Sequence, residues 1–305
     1  MKKTLIALAA VAATTVSFAQ VTLSGDLAYG YQATKEAGVK GSGFGVDTAA
    51  FKMAASEDLG GGLKLSGAMS LGGLTRGDTP TGEDFTMVLS GGFGSVLLGQ
   101  IEIGSGIRGL AQAGAPVNNM EGEVLAAASA GTDIVKYTAP KFGDFTVSGS
   151  LTENKGLATG LSKGQSSAVT VGVDYKAGPV AAKIDFTDYD NDSTATNSRY
   201  RIAGNYDLGM AKVGAGYESG KGVATAAFKK YTYTMFGVSA PVGGNMTVGA
   251  VMVTSKFDSA KKSGTSIGAK YALSKRTNVS ANTASWKVKG EAADSKTTVL
   301  LNHSF

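Results

Sequence analysis

Acidic and basic side chains recur on the polar side of alternating segments, and these are the groups with chemistry to offer. Asp26, Lys52, Lys64, Lys136, Arg199 and Arg201 each stand next to an apolar side chain. Successive strand residues point to opposite faces, so in strands these charges share the wet face. A second set, Glu102, Arg108, Glu121 and Glu123, falls in 102–131, the longest segment without alternation. Fixed charges on a water-facing wall attract one sign of ion and repel the other. Covalent chemistry has far less support. His303 is the sole histidine and lies on the apolar side of its segment, a poor place for a proton shuttle beside a nucleophile. The chain has no cysteine, which removes disulfides and thiolate metal sites. Gly91-Gly92-Phe93-Gly94 lacks the Lys-Ser/Thr that follows a phosphate-cradling loop. No enzyme activity, metal or cofactor is expected. No Lys/Arg run with interleaved aromatics marks a nucleic-acid partner.

The elements that must carry these charges are strands. Val21, Leu23, Leu27, Tyr29 and Tyr31 oppose Thr22, Ser24, Asp26 and Ala28. Phe145, Val147 and Leu151 oppose Thr146, Ser148 and Ser150, and Tyr200, Ile202 and Tyr206 oppose Arg199, Arg201 and Asn205. This period of two is the mark of a half-wet strand. Short turn-forming connections fall at 58–62, 91–94, 140–144, 177–179, 207–209, 241–244 and 274–275, all but the last containing Gly and most of them Pro or Asp. Longer polar ones fall near 35–42, 72–82, 102–131, 154–165, 190–197, 219–227, 258–263 and 289–294. Seven short turns and eight longer loops join sixteen strands, and an even strand number with short turns at one end is how outer-membrane barrels are built. Several strands, the one at 231–240 among them, slip phase and are expected to carry bulges. A soluble sandwich with one wet face per sheet rarely needs so many strands.

Met1-Lys2-Lys3, an apolar run from Leu5 to Val16, and Ser17-Phe18-Ala19 follow the order of a secretory signal. Residues 1–19 are therefore expected to be removed, leaving 20–305 as the barrel. Loss of Lys2 and Lys3 takes the formal charge from +5 to +3, a weakly basic balance. The chain has 44 Gly without a strict period and only 5 Pro, which excludes collagen and suits a sheet with many tight turns. Trp286 and several tyrosines are expected at the edges of a lipid-facing band, where amphipathic rings fit.

Several segments carry a family likeness in order along the chain. They are Val21-Thr22-Leu23-Ser24-Gly25, Glu57-Asp58-Leu59-Gly60-Gly61-Gly62-Leu63, Phe93-Gly94-Ser95-Val96-Leu97-Leu98-Gly99-Gln100, Val135-Lys136-Tyr137-Thr138-Ala139-Pro140-Lys141-Phe142, and the ending Leu301-Asn302-His303-Ser304-Phe305. Through them the chain resembles the general porins of Gram-negative outer membranes, most closely the β-proteobacterial type. The resemblance implies an all-β fold: a sixteen-stranded antiparallel transmembrane β-barrel with a constriction loop, about 102–131, folded into the lumen. It implies a homotrimer in the outer membrane, in contact with its lipid and lipopolysaccharide, passing small hydrophilic solutes and ions by diffusion. Val299, Leu301, His303 and Phe305 resemble the C-terminal signal read by the barrel insertion machinery.

In porins of this type, acidic residues on the loop face basic residues on the wall. Asp26, Lys52, Lys64, Glu102, Arg108, Glu121, Glu123, Lys136, Arg199 and Arg201 are the corresponding candidates for the constriction and lumen. The chain departs from its relatives at Gln100 and Ala50, where they tend to have Arg, and at Lys136, where Arg becomes Lys. Lysine lacks the planar fork of arginine, so a stacked arginine ladder is not expected. The remaining bases predict a mild preference for anions. Two other functions fit the same pattern: a substrate-specific channel, and a barrel acting as surface adhesin or structural anchor.

Overall fold

Alternation builds a closed wall. The computed structural model describes residues 20–75, 78–102, 106–125, 131–153, 167–190, 196–222 and 228–305. The expected signal at 1–19 and the whole expected loop at 154–165 lie outside the described residues, as do parts of the loops expected at 72–82, 102–131, 190–197 and 219–227. The strands are β1 (Gln20–Glu36), β2 (Val39–Gly60), β3 (Leu63–Gly72), β4 (Thr81–Gly91), β5 (Gly94–Glu102), β6 (Gly131–Thr138), β7 (Phe145–Glu153) and β8 (Ser167–Ala177). They continue as β9 (Val180–Tyr189), β10 (Thr196–Asp207), β11 (Lys212–Gly222), β12 (Lys230–Val242), β13 (Met246–Phe257), β14 (Ala260–Ala272), β15 (Thr277–Val288) and β16 (Asp294–Ser304). Each pairs antiparallel with its sequence neighbours, and β16 pairs with β1. Closure leaves no free edge around the ring, which a membrane wall requires because lipid cannot satisfy backbone polar groups.

The seam between first and last strands is specified by two residues. Gly25 and Phe305 exchange both backbone hydrogen bonds, at 3.1 and 3.0 Å. A Cβ on Gly25 would lie 2.5 Å from the Phe305 ring, so the missing side chain makes room for the terminal aromatic. Val299, Leu301, His303 and Phe305 share the outward, exposed face, as their alternation predicts. One strand over, Val21, Leu23, Leu27 and Tyr29 continue that apolar surface.

The seven short connections fall where turn chemistry predicts. Two of the expected long loops do not exist. The segment 35–42 is the tip of a hairpin whose two turn residues, Ala37 and Gly38, have φ of 49° and 85°, the left-handed pair that matches strand twist. The segment 258–263 is likewise a two-residue turn at 258–259. Polar residues at both tips read as loop because solvent-exposed strand ends carry the same composition. The expected bulge in 231–240 is also absent: β12 keeps an unbroken register with β11 and β13. Register shifts occur instead at Ala28/Tyr29, Asp58/Gly60, Met69/Leu71 and Thr196/Ser198.

Candidate functional site

The described part of the segment after β5 lies inside the barrel. Two short helices, α1 (Arg108–Ala111) and α2 (Met120–Leu125), lie against the inner wall. The first touches β10, β11 and β12, the second β13, β14 and β15. Ile107 and Ala111 are fully buried, and Met120 and Val124 nearly so. They pack on Ala203, Tyr233, Met235, Val251, Val253 and Trp286, all pointing inward. Such packing can hold a loop without regular structure, since each buried aliphatic side chain contributes roughly 1.5–3 kcal/mol. A tight turn at Ala113 and Gly114, with φ of 53° and 73°, reverses the segment.

Side chains of the wall take up the polar groups of the loop backbone. The Ser239 hydroxyl donates to the Ala113 carbonyl at 2.6 Å, and Ser255 to that of Val124 at 2.6 Å. The Asn118 amide N–H donates to Ser266 Oγ at 3.2 Å, and its side chain donates to the Lys296 carbonyl at 3.2 Å. Asn205 donates to the Leu110 carbonyl at 3.4 Å. A buried carbonyl without a donor is expensive, and these hydroxyls and amides meet that need.

Trp286 is thus a correction. It is 3% exposed and faces the interior, where it supports α2; it does not sit in the membrane-edge band. Similarly, the apparent phase slip of β12 arises because Tyr231, Tyr233 and Met235 face inward while Phe236 and Val238 face outward. Both faces of this strand are apolar because the loop covers the inner one.

The candidate charges divide among several settings. Asp26 faces the lumen near the short-turn end, where the Ser304 hydroxyl donates to it at 2.6 Å. Lys52 stands opposite Ser24 and Ser70, and Lys136 opposite Leu97 and Ser150. Lys64 is inward but belongs to the short-turn rim, across from Asp58. Arg108 in α1 and Glu123 in α2 are half-buried on the loop. Glu121, also in α2, is 5% exposed. Glu102 is not in the loop. It ends β5, and alternation puts it on the outward face with Leu98 and Gln100. The missing Arg at Gln100 therefore removes no base from this lumen.

Arg199 and Arg201 form part of a charged strip that alternation only half revealed. Arg201 is 7% exposed and stands in register between Asp185 of β9 and Glu218 of β11. Its Nε lies 2.7 Å from Asp185 Oδ1, and Lys183 approaches the other oxygen at 3.7 Å. The backbone at Gly106 lies over the guanidinium, since a Cβ there would be 2.8 Å from Arg201 Cζ. Arg201 is therefore neutralised and buried, and it does not line open water. The Arg199 guanidinium sits 5.6 Å from the Tyr189 ring centre, within range of a cation–π contact. Glu218 accepts a hydrogen bond from the Tyr231 hydroxyl at 2.8 Å. Asp185, Glu218 and the hydroxyls that hold the loop were not singled out from the sequence. Only inward parity marks them, and it marks ordinary wall residues equally.

The resulting channel is asymmetric. One half of the wall, β10 to β16, is overlaid by the loop. The other half, β1 to β9, presents Ser, Thr and Ala with lysines and carboxylates, Asp26 and Asp174 included, among them. Water and ions meet small hydroxyls, amines and carboxylates on one side and the loop on the other.

Known proteins share this architecture. No curated protein matches the chain. An anion-selective porin from Comamonas acidovorans superposes with a TM-score of 0.75 at 21% identity, over 94% of this chain and 100% of that one. The Vibrio cholerae outer-membrane protein OmpT, in a trimer form, gives 0.70 at 14% identity, over 94% and 99%. A mutant of the Rh. blastica porin gives 0.70 at 14%, over 94% and 100%. These likenesses concern the fold. The family model for Gram-negative porins matches residues 4–291. With nearly the whole chain covered, this protein belongs to the Gram-negative porin family and is an outer-membrane diffusion porin.

Proposed function

We propose that this porin passes small hydrophilic solutes and ions through a pore narrowed by the 102–131 segment, with a mild preference for anions. It works as a homotrimer, after removal of residues 1–19 and insertion guided by the C-terminal Val299, Leu301, His303 and Phe305. Outer-membrane lipid and lipopolysaccharide surround it. We assign it no catalytic role. The observation that carries the ion preference is that two inner-face lysines have no acidic partner on the strands beside them. Lys52 and Lys136 stand opposite uncharged residues, while Asp185 is occupied by Arg201 and Lys183. An uncompensated base raises the local concentration of anions in a narrow aqueous path. The Comamonas porin with the same fold is anion-selective by name, and the OmpT fold occurs as a trimer; both support the reading.

The test is conductance of the refolded protein in a planar lipid bilayer under a salt gradient. Openings in groups of three and a reversal potential of anion sign are expected. Cation selectivity would overturn the charge argument. A folded barrel that conducts nothing would overturn the diffusion reading and favour the adhesin or anchor role.

A further inference from the structure

Inward-facing glycines line the wall behind the loop, and the loop backbone fills the space their side chains would take. An added Cβ would lie 2.5 Å from the Leu110 carbonyl oxygen at Gly214, and 2.4 Å from that of Ala111 at Gly237. At Gly268 it would lie 1.9 Å from the Pro116 oxygen, and at Gly249 2.6 Å from the Ala115 Cβ. The four form two facing pairs. Gly214 is directly opposite Gly237, and Gly249 opposite Gly268. Asn205 extends the first row, and Ser239 and Asn282 flank the second. None of the four has positive φ. Their need for glycine is therefore one of space, not of backbone conformation.

We infer that this glycine trough sets the width of the pore, by fixing how deeply the loop seats in the wall. Gly214, Gly237, Gly249 and Gly268 are thus specificity-determining residues that touch no solute. The inference rests on reading the 102–131 segment as the constriction. The wall behind the loop is a closed hydrogen-bonded ladder, whereas the loop is held by apolar packing and a few side-chain hydrogen bonds. A methyl group inserted between them moves the loop. At Gly268 the Pro116 oxygen must go from 1.9 Å to the 3.4 Å where ordinary contact begins, about 1.5 Å toward the β1–β9 side. An interior packed near crystal density has no slack to absorb such a shift.

The test compares Gly268→Ala, Gly237→Ala and Gly214→Ala with wild type. Gly149→Ala serves as control, since nothing lies within 4 Å of its added Cβ. Each refolded protein is assayed for single-channel conductance and for uptake of neutral sugars of graded size by proteoliposomes. Gly268→Ala is expected to lower conductance by about 1.5-fold or more, because flux through a constriction follows its width. The largest permeant sugars should be lost first. Smaller effects of the same sign are expected at Gly237 and Gly214, and none at Gly149. Unchanged or raised conductance in folded Gly268→Ala overturns the inference. If that variant does not fold, the same outcomes in Gly214→Ala decide. Gly109→Trp separates the two readings, since Gly109 is exposed on the loop with open space beside it. If Gly109→Trp narrows the pore and the wall variants do not, the trough is refuted and the constriction stands. If Gly109→Trp also leaves the pore unchanged, the constriction reading itself fails.

Discussion

Replacing Asp185 by alanine should destabilise the barrel far more than a typical wall substitution. The Asp185 side chain is 2% exposed and that of Arg201 8%, with 2.7 Å between them. Removing one partner of a buried pair leaves an uncompensated charge and costs about 3–5 kcal/mol. Two details of the site move the expectation to the lower end, about 3 kcal/mol. Glu218 stands on the other side of Arg201 in the same row, so some compensation survives. Lys183 also loses its contact, but at 3.7 Å and 29% side-chain exposure it adds less than about 1 kcal/mol. The assay is urea unfolding of the protein refolded in lipid vesicles, followed by the mobility shift between folded and unfolded barrel on gels. The double variant Asp185→Leu/Arg201→Met is the decisive comparison. Apolar replacement of both partners should recover most of the loss, because the desolvation of both ions is no longer required. A loss below about 1 kcal/mol in Asp185→Ala would show that Arg201 reaches water and is not buried by the loop. A double variant as unstable as the single would show that the loss comes from packing and not from charge.

Lys136→Glu and Lys52→Glu should each move the reversal potential toward cation selectivity, more at low salt than at 1 M, where the Debye length shrinks to about 3 Å. Equal shifts at both salt concentrations would argue against a field effect. Ser239→Ala and Ser255→Ala each leave a loop carbonyl without its donor and should cost about 1–3 kcal/mol. They should also add noise to the open-channel current, whereas a quiet, wild-type trace would mean that packing alone holds the loop. Deleting Phe305 removes the backbone pair with Gly25 and the ring that covers it. Folding yield into vesicles should fall several-fold, and recovery with a terminal Tyr but not Ala would identify the ring as the active feature.

Much of the architecture was written in local pattern. Residues 21–31 alternate cleanly because one side meets lipid and the other meets water, and a period of two follows from strand geometry alone. Gly60-Gly61-Gly62 and Gly94 mark turns because positive φ is needed there. The same parity put Asp26, Lys52, Lys64, Lys136, Arg199 and Arg201 on the inner wall, as the structure has them. What it could not supply was depth. Lys64 at the rim and Lys136 further in look alike in sequence.

The limit of sequence reading has one physical source. Alternation presumes that the inner face of every strand meets water, and from β10 to β16 it meets protein. Tyr233, Met235, Val251, Val253 and Trp286 are apolar and inward because Ile107, Ala111, Met120 and Val124 lie on them. From the chain alone that apolar inner face looked like a slip of register in 231–240 and an aromatic belt at Trp286. Arg201 looked like a free base because its partner, Asp185, lies on a neighbouring strand sixteen residues away. The sequence by itself determined the strands, their turns, their outward faces and the closing aromatic, because each is set by neighbours within a few residues. Only the tertiary structure decided which half of the wall the loop covers, and so which charges remain in water, because that depends on packing between segments more than a hundred residues apart.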